Sequence, residues 1–414
     1  MSDKSQQQQC KFFVQRKKRY CKMLVKPNQQ FCGEHQKPLD PTDADESNTS
    51  SIRIACPLDG KHTVYAHNLQ KHLKICNARP GEVEPYIIKD INSGNSEVPI
   101  ELASTDTYQM LYTFSKDQIA TVIDKVSKLY EHISVTEKMP QFTIVEEEMK
   151  KPEYGPKTIK HLKQASAIVG MLEHYDMLKD DSCFIEFGAG RGQLSCWVAE
   201  ATNNKKNCKI LLVERASPKH KRDNKLARVS DRIQRIRADI AHLSLDKYDF
   251  PKDTKHIIGI TKHLCGEATD LAIRCLANSE SNKKKIGGAV FTFCCHHRCR
   301  WTPYTGKQFF EENNLGITEF NIMCGLSSWA TCGTGFSREY REELKIQPNK
   351  QIKLDLNDYG LSREEREDIG RKCKNVINYG RLLFLEQFGL KCQLHFYVEK
   401  DVTLENVCIV AYKR

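Results

Sequence analysis

The chain has 414 residues, 39% hydrophobic and 28% charged, with a formal net charge of +11. That length carries two or three domains, at least one with a sizeable core, and no apolar run approaches a membrane span, which excludes an integral helical membrane protein. Residues 1–9, Met-Ser-Asp-Lys and then a glutamine run, lack the apolar centre of a signal peptide, so the expected location is intracellular, in cytoplasm or nucleus. In that reducing setting the 18 cysteines call for metal binding, packing or reactivity rather than disulfides. The positive charge suits a polyanionic partner but is spread thinly.

Residues 1–36 hold Cys10, Cys21, Cys32 and His35 in the spacing C-x10-C-x10-C-x2-H. Three thiolates and one imidazole make a closed tetrahedral zinc site. The segment is too poor in aliphatic residues to fold without such a staple. Phe12, Phe13, Arg16, Lys17, Lys18, Arg19, Tyr20 and Lys22 lie between the ligands; charge interleaved with rings suits RNA. Residues 37–52, acidic and rich in Pro, Ser and Thr, read as a linker.

Residues 53–78 carry a second four-ligand pattern, Cys56, His62, His72 and Cys76, spaced C-x5-H-x9-H-x3-C. A helix over Asn68–Ile75 places His72 and Cys76 one turn apart on one face. His67 reads as a spare surface histidine. This spacing resembles the CHHC zinc finger of RNA-modifying and spliceosomal proteins. Residues 79–158 read as a connecting region, irregular to Pro99. In it, Ile119, Val122, Ile123, Val126, Leu129, Tyr130 and Ile133 recur at helical spacing, as a stripe packed on its own domain or as a short coiled coil.

From residue 159 onward helices and strands alternate, predicting an α/β fold with a parallel, doubly wound sheet. A helix over Ile159–Met177 leads in. Strands follow at Cys183–Phe187, Lys209–Glu214, Ile233–Asp239, His256–His263 and Ile286–Phe293, with helices at Gln193–Glu200, Ser217–Ala227 and Gly266–Ala277. Gln393–Val398 and Asn406–Tyr412 read as a closing antiparallel pair. The charged stretch Gly335–Arg371 reads as a surface insertion.

The first of these strands runs straight into Gly188, Gly190 and Gly192 and then a helix. Glycines there let a ligand approach the backbone at a helix N-terminus. With Glu186 two residues earlier, E-x-G-x-G-x-G resembles the S-adenosylmethionine loop of class I methyltransferases. Glu214, ending the second strand, stands where an acid accepts hydrogen bonds from ribose hydroxyls. By the same resemblance, Asp239 at the end of the third strand meets an adenine amino group.

Lys262-His263-Leu264-Cys265-Gly266 follows the fourth strand, and Cys294-Cys295-His296-His297-Arg298-Cys299 follows the fifth, with Trp301 and Tyr304 close behind. Both lie beside the presumed cofactor. A third metal in the second block is disfavoured, because neighbours at one strand end point opposite ways, and a substrate pocket is preferred. A thiolate nucleophile stays open, with no cysteine marked out by spacing.

Taken in order, the two fingers, the glycine turn, K-H-L-C-G and the Cys294–Tyr304 block resemble the eukaryotic tRNA 2′-O-methyltransferase family that modifies the fourth nucleotide of the acceptor stem. The resemblance spans nearly the whole chain. It implies a class I methyltransferase domain behind two zinc fingers, S-adenosylmethionine as donor, two structural zinc ions and particular tRNAs as substrate. A sugar hydroxyl is a very weak acid, so a base or cation must assist it. No K-D-K-E set is evident, which leaves Lys262, His263, His296 and His297 as candidates. Two alternatives remain at this level: a protein side-chain methyltransferase, and a zinc-finger RNA-binding protein with an inactive core.

Overall fold

The computed structural model describes residues 8–14, 19–25, 29–32, 35, 53–76, 79, 84–216, 218, 231–331 and 359–413. The linker, the basic residues Arg16 to Lys18, the helix expected over Ser217–Ala227 apart from Pro218, and residues 335–358 of the expected insertion lie outside them. The chain divides into two units, Met1–Glu84 and Pro85–Arg414.

In the first unit, β1 (Phe13–Val14) pairs antiparallel with β2 (Arg19–Tyr20). Further on, β3 (Arg53–Cys56) and β4 (Asp59–Tyr65) form a hairpin followed by helix α1 (Leu69–Ile75). No residue of α1 is buried. A seven-residue helix without a core is not stable alone, so what organises this segment is its ligand set.

The second unit opens with α2 (Ile100–Thr105), α3 (Lys116–Tyr130), β5 (Val135–Glu137), α4 (Thr143–Met149) and α5 (Pro156–His174). The α/β core follows as β6 (Ser182–Phe187), α6 (Gln193–Ala201), β7 (Lys209–Val213), β8 (Ile233–Ile236), β9 (His256–Cys265), α7 (Ala268–Ala277) and β10 (Ile286–Cys294). Then come α8 (Lys307–Glu312), α9 (Ile317–Ser327), α10 (Arg363–Glu386), β11 (Lys391–Phe396) and β12 (Val407–Tyr412).

Eight strands form one sheet in the order β5-β11-β12-β10-β9-β6-β7-β8. The run from β10 to β8 is parallel, and β12 is antiparallel to both β10 and β11. This is the class I methyltransferase arrangement, including its closing antiparallel pair. The sheet gains an edge strand, β5, parallel to β11, so the connecting region shares the catalytic unit rather than standing apart from it.

Both faces of the sheet are covered, which explains the unbroken apolar runs in its strands. Ile185, Phe187, Leu211, Val213 and Phe291 point into one core with Ile119, Ile273, Phe320 and Val376. Their neighbours Phe184, Ile210, Leu212 and Val290 point into another with Leu162, Ile168 and Leu194. On α3, Ile119, Val122 and Val126 are buried in the first of these cores. The stripe therefore packs on its own domain and forms no coiled coil there. The segment read as a surface insertion is corrected at its end. Residues from Arg363 begin α10, capped by Ser362 and Glu365, and Ile369, Cys373, Val376 and Ile377 on it are buried. The charged residues of its first turns, Arg363 to Glu365, lie exposed on an amphipathic helix. No helix among the described residues is long and apolar enough to cross a membrane.

Candidate active site and metal centres

The sheet order reverses between β6 and β9, since the chain moves outward from β6 through β7 to β8 and then returns to β9. Ligands of doubly wound sheets bind in the crevice at the strand ends of such a switch point. Here the crevice lies between the glycine turn after β6 and the K-H-L-C-G segment ending β9. Gly188, Gly190 and Gly192 all have positive φ, at 68°, 50° and 74°, a conformation that side chains strain. A Cβ on Gly188 would meet Leu264 Cδ1 at 2.7 Å, so the turn lies directly against K-H-L-C-G; around Gly190 a Cβ would meet nothing within 4 Å among the described residues.

The acids have distinct places. Glu186 is buried behind the turn, where its Oε2 accepts from the Ser195 amide at 3.0 Å and from the Ser195 hydroxyl. It ties β6 to the first turn of α6 and fixes the glycine backbone. Glu214 lies just beyond β7: its Oε2 accepts from the Gly190 amide at 2.9 Å and its Oε1 from the Ala216 amide at 2.8 Å. Asp239 lies past β8, which ends at Ile236, and is half-buried; it caps a short 3-10 turn by accepting from the Ala241 amide at 3.1 Å and pairs with Arg215 at 3.2 Å. The strands stop short of these two acids, yet both remain at the carboxyl edge.

Strand alternation puts Lys262 and His263 on opposite sides. The structure corrects this. β9 continues to Cys265, and His263 has φ 62° within it. The left-handed residue breaks the alternation, and both side chains meet α5: Lys262 Nζ donates to the His161 carbonyl at 3.3 Å, and His263 Nε2 lies 2.8 Å from Gln164 Oε1. Burial pulls the Lys262 ammonium down to about 8, against the attraction of Glu186. Burial likewise raises the Glu186 carboxyl to about 7. His263 is pushed to about 4 by burial and then by Lys262, so it is neutral at physiological pH.

His296 and His297 stand elsewhere. His296 is buried, with Nε2 2.9 Å from Asn378 Oδ1 on α10, and burial holds it well below the usual histidine range. Burial also lowers His297. The Nδ1 atoms of both are buried with no hydrogen-bond partner among the described residues. The structure thus holds Lys262 and His263 against α5, and His296 against α10. His161 and Gln164, which orient Lys262 and His263, are not singled out by the sequence; they sit on an amphipathic helix with nothing local to mark them.

The two expected zinc ligand sets do assemble. Ligand atoms of Cys10, Cys21, Cys32 and His35 lie within 4.8 Å of one another, as do those of Cys56, His62, His72 and Cys76. Cys21 and Cys32 Sγ are 3.9 Å apart, and Cys32 Sγ is 3.4 Å from His35 Nδ1. In the second set Cys56 and Cys76 Sγ are 3.8 Å apart, and His72 Nε2 is 3.2 Å from Cys56 Sγ. Such edges match a tetrahedron built on metal–ligand bonds of about 2.0–2.3 Å. Three sulfurs with one nitrogen in the first set, and two of each in the second, are donor sets that suit zinc. Asp59 approaches His62 Nδ1 at 3.7 Å, on the ring nitrogen turned away from the cluster, a usual orienting contact for a zinc histidine. His67 stays outside the set, beside Asn68.

Comparison with known proteins bears on the whole chain. Residues 163–412 match the family described as "Methyltransferase TRM13". The chain belongs to the TRM13 methyltransferase family. Its N-terminal segments match too: residues 8–36 the "CCCH zinc finger in TRM13 protein" and residues 53–77 the "U11-48K-like CHHC zinc finger". A TRM13 relative from Mus musculus, named "tRNA:m(4)X modification enzyme TRM13 homolog", is 34% identical over 97% of this chain and 94% of its own. The Schizosaccharomyces pombe TRM13 protein is also 34% identical, over 87% of this chain and 96% of its own. Among solved structures, a geranyl diphosphate methyltransferase in complex with GPP and sinefungin is 11% identical, covering 70% of this chain and 93% of that chain at a TM-score of 0.25; that score is too low to carry weight.

Proposed function

We propose that this protein transfers a methyl group from S-adenosylmethionine to the ribose 2′-hydroxyl of the fourth nucleotide in the acceptor stem of particular tRNAs. The observation that carries this reading is the end-to-end match, both fingers included, to relatives named as tRNA modification enzymes.

The donor supplies an electrophilic methyl on a sulfonium that leaves as a neutral thioether. The chain's part is to hold, align and deprotonate. The side-chain-free turn at Gly188, Gly190 and Gly192 admits the cofactor against the backbone, Glu214 takes its ribose hydroxyls and Asp239 its adenine amino group. In this reading Glu214 exchanges its bond from the Gly190 amide for the ribose. Lys262 is the best-placed candidate base. Its amine, desolvated and held against α5 beside the glycine turn, takes the hydroxyl proton while the oxygen attacks the methyl carbon. Lys262 is held at the His161 carbonyl and His263, neutral, at Gln164, while His296 is held at Asn378 on α10. A 2′-hydroxyl in the shallow minor groove of an A-form stem is reachable without opening the helix. Exposed Phe13 and Tyr20 on the first finger offer rings for stacking beside the basic residues.

The test is to incubate purified protein with methyl-labelled S-adenosylmethionine and either total tRNA or total protein. Label in tRNA that survives alkaline hydrolysis as a 2′-O-methylated dinucleotide at position 4 is expected. Label in protein, or on a base, would overturn the assignment.

A further inference from the structure

A third group of metal-ligating side chains lies outside both fingers. Cys265, Cys294 and Cys295 meet at the carboxyl ends of β9 and β10, with all three Sγ atoms within 4.8 Å of one another. Cys265 Sγ is 3.1 Å from Cys294 Sγ and 3.3 Å from Cys295 Sγ. Cys265 is exposed and the other two are half-buried. Consecutive cysteines at a strand end ought to point apart, which is why the sequence disfavours a metal here. The backbone defeats that rule. Cys295 leaves β10 in a left-handed conformation, φ 55° and ψ 44°, which strains a residue with a side chain and is kept where the surroundings demand it. Gly266, also left-handed at φ 55°, donates its amide to the Cys294 carbonyl at 3.1 Å. That bond clamps the two strand ends so that Cys265 faces the pair. A Cβ on Gly266 would strike the Arg298 carbonyl at 2.7 Å, so the clamp requires glycine.

We propose that Cys265, Cys294 and Cys295 form a third zinc site, three thiolates from the protein with the fourth position open on the exposed side. Thiolates are the soft donors zinc accepts, and three protein ligands with one open position is the arrangement of reactive rather than purely structural zinc. The two separations, 3.1 and 3.3 Å, need to widen by about 0.5–0.7 Å to reach the ~3.8 Å edge set by Zn–S bonds of about 2.3 Å. The fingers of this chain show that edge, at 3.8 and 3.9 Å. A disulfide is the competing fate of close thiols, but it would use two of the three and leave the left-handed turn of Cys295 without a purpose. Arg298 acts on the charges of both Cys265 and Cys295 and offsets the net negative charge of a tris-thiolate zinc. Leu264, one residue before Cys265, packs where Gly188 lacks a side chain, so the open position borders the cofactor crevice. On the ribose-methylation reading it takes a substrate oxygen there; the site itself does not depend on that reading.

The test is the zinc content of full-length protein purified under reductant and without chelator, set beside Cys265→Ser and Cys294→Ser. Cys265 is exposed, so its serine variant is expected to fold, with an unchanged circular dichroism spectrum. Three zinc ions per chain, falling to two in either variant, is the expected result; Cys10→Ser and Cys76→Ser should each remove one of the others. In cobalt-loaded protein, the wild-type minus Cys265→Ser difference spectrum should keep a thiolate-to-cobalt charge-transfer band. A metal count or difference spectrum that Cys265→Ser leaves unchanged overturns the site, and so does intact-mass detection of a Cys265–Cys294 disulfide in the freshly purified protein. Metal content is read without RNA, so the methylation assignment can fail while this site stands, and the reverse.

Discussion

The Gly190 amide donates to Glu214 Oε2 at 2.9 Å, so the carboxylate at the end of β7 holds the glycine turn that precedes α6. On the proposed reading, one side chain thereby couples the loop's conformation to the ribose end of the crevice. Glu214→Ala should weaken S-adenosylmethionine binding by about tenfold or more, the scale of a lost charge-assisted hydrogen bond. Calorimetry with S-adenosylmethionine checks this; affinity within twofold of wild type would remove Glu214 from the binding set.

Gly190→Arg should abolish cofactor binding and leave the fold standing. A Cβ there meets nothing within 4 Å among the described residues, so the strain is limited to a left-handed arginine, roughly 1–2 kcal/mol. The side chain would fill the space the ligand needs. A folded variant with normal S-adenosylmethionine affinity would show that the cofactor lies elsewhere. Gly188→Arg is the harsher change, because its Cβ also meets Leu264 Cδ1 at 2.7 Å.

Lys262→Ala should lower single-turnover methylation by roughly a hundredfold or more, the scale of a lost acid/base group, with tRNA and cofactor affinity within a few-fold. The pH profile separates two roles. With Lys262 titrating near 8, a neutral-amine base gives a rate that climbs as pH rises toward 8 and then levels. A cationic role gives a rate that falls across the same range. Lys262→Arg should keep the charge and lose the climb. The groups facing Lys262 are Glu186, His161 and His263, so the profile should be repeated in Glu186→Gln to assign the limb. Stability follows from the same shift. The folded state holds this lysine below its unfolded value of 10.5. Between about 8 and 10.5 the unfolded chain therefore binds more protons, and stability rises with pH through that window. Lys262→Met should flatten that slope in denaturant titrations at stepped pH.

Arg381→Met should be among the most destabilising single changes in the second unit, about 3–5 kcal/mol, because it strands a buried carboxylate. Arg381 Nε and Nη2 donate to the two oxygens of Asp270 at 3.0 and 2.6 Å, joining α10 to α7, and both side chains are buried. The double variant Asp270→Asn/Arg381→Met should recover part of the loss in urea denaturation. Strict additivity would mean that the pair is not coupled.

Zinc removal should melt the first unit alone. Among the described residues, the buried cluster of the first finger is Cys10, Cys21 and Cys32 themselves, with Val14, Val25 and Phe31 against them, so the ligands are its core. Cys10→Ser or Cys76→Ser should leave the main thermal transition within a few degrees while tRNA affinity falls. A large shift of that main transition would mean that the finger unit stabilises the catalytic one.

Much of this protein is legible without coordinates, and the legible part is local. The glycine turn between a buried strand and a helix, the two ligand spacings and the strand runs buried on both faces all depend on residues close together in the chain. Backbone geometry at that range leaves few alternatives. What the tertiary structure alone decided is non-local. Cys265 and Cys294 are 29 residues apart and meet only because β9 and β10 are neighbours in register. His263 and Cys295 take left-handed backbones that the strand pattern does not predict, and those two conformations overturn the alternation rule at both strand ends. They turn Lys262 and His263 toward one helix and three thiols toward one point. The charged stretch from Arg363 became a helix because its sparse apolar residues found a core to fill, and β5 joined the sheet because β11 offered a free edge. Propensity and spacing act within a turn or two of chain, whereas burial and register depend on which surfaces the whole chain brings face to face.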